Sequence, residues 1–86
     1  MALFMIERDF ASELDLDADA VKTVEGINDD CGVKWLYSFL SADKRKTYCL
    51  YEALNPDDIR QAARKANIPA DAIIELQGEI RPEMYR

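Results

Sequence analysis

Histidine is absent from the 86 residues. Imidazole is the usual general base near neutral pH and the commonest metal ligand, so catalytic triads and zinc motifs that depend on it are excluded. Cysteine is scarce, with two residues at positions 31 and 49. In a reducing compartment both are expected as free thiols, which argues against a disulfide framework. No stretch approaches the roughly 20 consecutive apolar residues that span a bilayer. The opening MALFMIERDF meets acidic residues too early to read as a signal peptide. A cytoplasmic location with no membrane partner is the expectation. Positive charge is in deficit: 11 Lys and Arg against 17 Asp and Glu leave a formal net charge of -6. Such a balance disfavours a phosphate backbone as the main partner, so nucleic acid is not expected.

What is present suffices for a core. The chain is 49% hydrophobic and 33% charged, ordinary for a globular protein and too apolar for disorder. Its length suits one domain over residues 1–86. At that size a single core is only marginally sufficient, and a second copy often supplies the missing burial. A homodimer is therefore expected.

Leu3 to Asp9 alternates with apolar residues on both faces until Glu7 and Arg8, the pattern of a central strand. From Asp17 to about Asp30, apolar positions 20, 21, 24 and 27 fall on one helical stripe. Asp17 or Asp15 serves as N-cap, and Gly32 stops the helix. VKWLYSFL, Val33 to Leu40, places Val33, Trp35, Tyr37 and Phe39 on one face by alternation. The polar turn SADKR then leads into Lys46 to Ala53, completing a β-hairpin. Asn55-Pro56-Asp57-Asp58 is a strong helix start, followed by the small-residue face of Ile59, Ala62, Ala63 and Ala66. Ala72 to Leu76 is a last strand, and the tail, residues 76–86, extends it or crosses to a partner. The resulting order is that of two split βαβ units, a ferredoxin-like α+β fold, βαββαβ, with the first and third strands as central neighbours. Both helices cover one sheet face. The other face, with large aromatics, needs a cover, and a second subunit's sheet would give a sandwich of the dimeric α/β-barrel type.

The stretch KTYCLYEA holds the most distinctive thiol. Centring the turn near Asp43 and Lys44 puts Cys49 opposite Tyr37 or Ser38. Cys31 then lies roughly 20 Å away at ~3.3 Å per residue, too far for a disulfide. With Tyr37 as partner, Trp35, Tyr37, Phe39, Thr47, Cys49 and Tyr51 share the open face. A one-residue slip to Ser38 instead moves Cys49 under the helices. Glu7 joins the open face if its parity agrees. The plainest reading of Cys49 is a small buried hydrophobe, since no cation in sequence is placed to stabilise a thiolate. Arg60, Arg64 and Lys65 read as the solvated face of the second helix.

Together IERDF, VKWLYSF, KTYCLYEA and NPDDIRQAARKANIPADAI resemble the small ferredoxin-like nickel-binding proteins, formerly a domain of unknown function, over about Leu3 to Leu76. The resemblance implies the same fold and a dimer whose sheets face each other. It also implies a metal, nickel or another divalent ion, for which Cys49 is the one soft ligand. The family pattern commonly reads W-x-H-S-Y before the hairpin turn and E-H-A on the second helix. Here Tyr37 and Ala62 occupy those histidine positions, and nickel(II) favours imidazole, thiolate and amide nitrogen. The leading expectation is a binding protein whose ligand, a metal through Cys49 or a small molecule, sits among Trp35, Tyr37 and Tyr51 with Glu7 at the edge. No catalytic residue is assigned. Two other classes stand beside it: a cofactor-free dimeric α/β-barrel enzyme in which Tyr37 or Glu7 moves a proton, and a structural or regulatory partner module using the acidic first helix.

Overall fold

Side chains at the helix ends set where each helix starts and stops. In the computed structural model, which describes all 86 residues, the Asp17 carboxylate accepts from the Ala20 N–H at 2.8 Å. That bond satisfies one of the orphan donors of a helix N-terminus and opens α1, Ala18–Cys31. Gly32 closes it with φ 71°, a left-handed conformation that costs a glycine little. Asn55 caps α2, Pro56–Ala66, through the Asp58 N–H, and Asn67 ends it in the same left-handed region.

The strands are β1 (Ala2–Asp9), β2 (Lys34–Leu40), β3 (Lys46–Ala53) and β4 (Ala72–Leu76). They form one sheet in the order β2-β3-β1-β4, antiparallel at every pairing. With the element order β-α-β-β-α-β, this is a ferredoxin-like α+β fold, as the sequence pattern indicates. Phe4, Ile6, Cys49, Tyr51 and Ala53 from the central strands pack with Ile59 and Ala62 of α2 to form the core. No helix is long and apolar enough to cross a membrane. The tail does not extend β4: it ends in a 3-10 turn, Pro82–Tyr85, with Ile80, Met84 and Tyr85 exposed.

One expectation about the hairpin needs correcting. Cys49 pairs with Ser38, not Tyr37, and the register shifts between Trp35 and Tyr37, so Leu36 is an extra residue on β2. Such a bulge reverses the phase of alternation along its strand. Val33 and Trp35 therefore lie on the helix-covered side with Thr47, Cys49 and Tyr51, whereas Tyr37 and Phe39 lie on the open side with Tyr48 and Leu50. Glu7, paired with Tyr48, is on the open side too.

Candidate functional site

The residues singled out by sequence are thus divided by the sheet. Glu7 and Tyr37 are on one face; Trp35, Cys49 and Tyr51 are on the other. On the open face the Glu7 carboxylate accepts from Lys46 Nζ at 3.2 Å. That hydrogen bond, then the carboxylate's charge, raises the Lys46 pKa above its usual 10.5. Tyr37 meets Phe39 edge to face, with ring centroids 5.7 Å apart. Neither Tyr37 nor Phe39 lines either of the two principal cavities.

The cavity lies on the other side. Its volume is about 80 Å³, and Trp35, Cys49 and Tyr51 line it together with Arg8, Ser38 and Thr47. Its remaining wall is apolar: Val24 of α1, Ile68 after α2, and Phe10, Leu14 and Leu16 of the loop between β1 and α1. That loop is pinned to the hairpin turn by two backbone bonds, Phe10 N–H to the Arg45 carbonyl at 2.8 Å and Leu14 N–H to the Lys44 carbonyl at 2.7 Å. The hairpin and the β1–α1 loop therefore enclose the space jointly.

Each polar group on the wall has a defined partner. Trp35 Nε1 donates to Ser38 Oγ at 2.8 Å, Cys49 Sγ to Thr47 Oγ1 at 3.5 Å, and Asn28 Nδ2 to the Tyr51 hydroxyl at 3.3 Å. Burial raises the pKa of Tyr51 above 10.0, outweighing the opposing pull of the nearby Arg8 charge and the Asn28 hydrogen bond. Arg8, 3% exposed, donates from Nη1 to the Pro69 carbonyl at 2.6 Å, and its guanidinium carbon sits 5.7 Å from the Tyr51 ring centroid. The chain's three ion pairs all lie elsewhere, so Arg8 is a buried cation with no carboxylate beside it.

Arg8 is the residue that sequence reasoning missed. It reads there as the polar end of a strand, yet its parity matches Phe4 and Ile6, the two positions with most need of a helix above them. The β1–α1 loop was equally silent, because nothing in its composition tells which turn it touches.

The donor set does not suit nickel within one protomer. No three His, Cys, Asp or Glu side chains gather in a metal-holding arrangement. The Cys49 thiol is enclosed by aromatic rings and a threonine hydroxyl, with no second soft donor on the cavity wall. Nor do the two positions at which the resemblance leads one to expect histidine converge: Tyr37 is on the open face, and Ala62 of α2 is in the core.

A crystal structure of SCO4226 from Streptomyces coelicolor A3(2) matches this fold with a TM-score of 0.79. The match covers 92% of this chain and 100% of that one, at 20% sequence identity, and so speaks to fold alone. No curated protein sequence matches the chain. The family model described as nickel responsive protein SCO4226-like matches residues 4–76, a span that includes both helices and all but the first two residues of the sheet. The chain belongs to the SCO4226-like family of nickel responsive proteins.

Proposed function

We propose that the chain is a homodimeric small-molecule-binding protein whose ligand occupies the cavity between the sheet and α1. The observation that carries this reading is the cavity itself: an apolar chamber with a few fixed polar groups is the usual form of a small-ligand site. Its lining contains no carboxylate, and the chain has no imidazole, so the two commonest kinds of general base are not on the wall, and Tyr51, whose pKa burial raises, is a poor proton acceptor there. That favours binding over the proton-transfer enzyme of the dimeric α/β-barrel type. Nickel held by side chains of a single protomer is disfavoured by the donor chemistry, whatever responsiveness the family description records. Cys49 then serves as part of the cavity wall rather than as a metal ligand, while Trp35 and Tyr51 contact the ligand. Tyr37 and Glu7 serve the subunit interface, at its centre and rim.

Support for the dimer comes from the face opposite the helices, where Tyr37, Phe39, Tyr48 and Ile74 are exposed. Adjacent exposed apolar residues of this extent mark an interaction surface. Two free cysteines fit a reducing, cytoplasmic setting.

Trp35 is the chain's one tryptophan and lines the cavity, so its emission reports occupancy. Titrating the protein with a panel of small organic molecules and, separately, with Ni(II) tests the reading. A saturable change with an organic ligand is expected. Saturation by Ni(II) alone at stoichiometric concentration would transfer the function to metal binding.

A further inference from the structure

The polar atoms on the cavity wall share one property. Ser38, Thr47 and Tyr51 each accept a hydrogen bond through the hydroxyl oxygen, from Trp35, Cys49 and Asn28 respectively. Each hydroxyl hydrogen is therefore left free to donate. Arg8 adds a guanidinium with five N–H donors, of which the recorded side-chain bond uses Nη1 toward Pro69. Its guanidinium also reaches the Tyr51 hydroxyl closely enough to pull down the phenol's pKa, and no carboxylate shares its remaining N–H groups. Arg8 is buried and borders a cavity whose surface is otherwise almost wholly apolar. Among the eleven lining residues none has a carboxylate or a side-chain amide. The wall offers hydrogen-bond donors and a permanent positive charge, with no anionic group opposing them.

Resting on the reading of this cavity as a ligand site, we infer that it takes a short-chain monocarboxylate, its carboxylate on Arg8 and its carbon chain against Leu14, Val24 and Trp35. A guanidinium matches the two oxygens of a carboxylate with parallel hydrogen bonds, and a buried charge without a counter-ion is costly until one arrives. Ser38, Thr47 and Tyr51 can donate to the outer lone pairs. At roughly 10–15 Å³ of accessible space for each water, the cavity of about 80 Å³ holds roughly five to eight non-hydrogen atoms, which limits the ligand to a few carbon atoms beside its carboxylate. A phosphate would use the same donors but would leave the apolar walls of Leu14, Val24 and Trp35 uncovered.

Butyrate, its neutral isostere butyramide, and inorganic phosphate are the probes, read by Trp35 emission and confirmed by calorimetry. Butyrate is expected to saturate the signal, with butyramide and phosphate weaker by about tenfold or more, since only butyrate satisfies both the charge and the apolar walls. Arg8→Met keeps most of the side-chain volume and should abolish the preference for butyrate over butyramide. Because that variant loses the tie to Pro69, the wild-type comparison of acid with amide decides the question independently of its folding. Equal binding of butyrate and butyramide would overturn the anion assignment while leaving the cavity as a ligand site. Failure of butyrate up to millimolar concentrations overturns it too, and failure of the wider organic panel as well would remove the ligand site itself. Tighter binding of phosphate than butyrate would mean that charge alone is recognised, which also overturns the monocarboxylate.

Discussion

Tyr51 shows how the burial of one side chain becomes a pH dependence. Its phenol is 2% exposed, and burial, the largest influence, holds its pKa above the ordinary 10.0. Burial disfavours the charged form, so the folded protein keeps the phenolic proton where the unfolded chain would release it. Stability linked to Tyr51 is therefore fully present below the unfolded value of about 10 and is lost as pH rises through the folded one. In an absorbance titration of tyrosinate, a late component should appear that Tyr51→Phe removes, and the alkaline end of the unfolding curve should move upward in that variant. Ala62 makes a second point at this scale. It is 3% exposed in the core, on the opposite side of the sheet from Tyr37. The double change Tyr37→His with Ala62→His should leave Ni(II) affinity close to that of the Tyr37→His single variant, measured by calorimetry, because the imidazoles cannot share an ion within one protomer. Forcing a ring into the Ala62 site should cost about 1–3 kcal/mol in chemical denaturation through overpacking. A large joint gain in affinity would mean that the positions do meet.

Among the elements, the hairpin decides which side chains the cavity receives, and Leu36 decides the hairpin. Because Trp35 faces Tyr51 and Tyr37 faces Leu50, Leu36 has no partner of its own. Deleting Leu36 should preserve both faces of β2 and leave Cys49 buried. Deleting Ser38 removes a paired residue, and even with Leu36 drawn into the ladder opposite Leu50 it turns Tyr37 onto the helix-covered face opposite Cys49, so it should lower the melting temperature well below that of the Leu36 deletion. Circular dichroism melts and iodoacetamide labelling of Cys49, mapped by mass spectrometry, separate the two deletions. Equal tolerance of both would show that the bulge does not set the register. The same element explains what was legible in the sequence. Helix ends are local chemistry: Asp17, Gly32, Asn55 and Pro56 announce α1 and α2 within a residue or so, and the element order follows. Register is not local. Val33, Trp35, Tyr37 and Phe39 alternate without interruption in sequence, and no residue type there betrays the extra position. A site reading that depended on all four sharing a face had to come apart at Leu36. Trp35, Cys49 and Tyr51 remain together because their positions rest on the direct pairing of β2 with β3 on the near side of the bulge and beyond it.

At the scale of the whole molecule, the open face of the sheet has an apolar middle and charged ends. Tyr37, Phe39, Tyr48, Leu50 and Ile74 lie between the Glu7–Lys46 ion pair at one end and the Lys34–Glu52 cross-strand pair at the other. An apolar middle with a polar rim is the pattern of many subunit interfaces, and it supports the proposed dimer. Phe39, 62% exposed, is the largest apolar side chain standing clear of that face. Light scattering should therefore return about twice the 9.8 kDa of one chain, and Phe39→Glu should return the single-chain mass without lowering the helical signal, since the residue touches no part of the core. Salt dependence gives the sharper test, because two copies of a chain with formal net charge -6 repel each other as they approach. Screening weakens that repulsion at separations beyond about 8–10 Å near physiological ionic strength, while apolar burial is left in place or strengthened by excluded salts. Dimer affinity, followed by sedimentation equilibrium from low to moderate salt, should therefore rise with ionic strength. An interface held mainly by ion pairs between subunits would weaken over the same range, and that result would move the contact surface away from Tyr37 and Phe39 toward the charged helices.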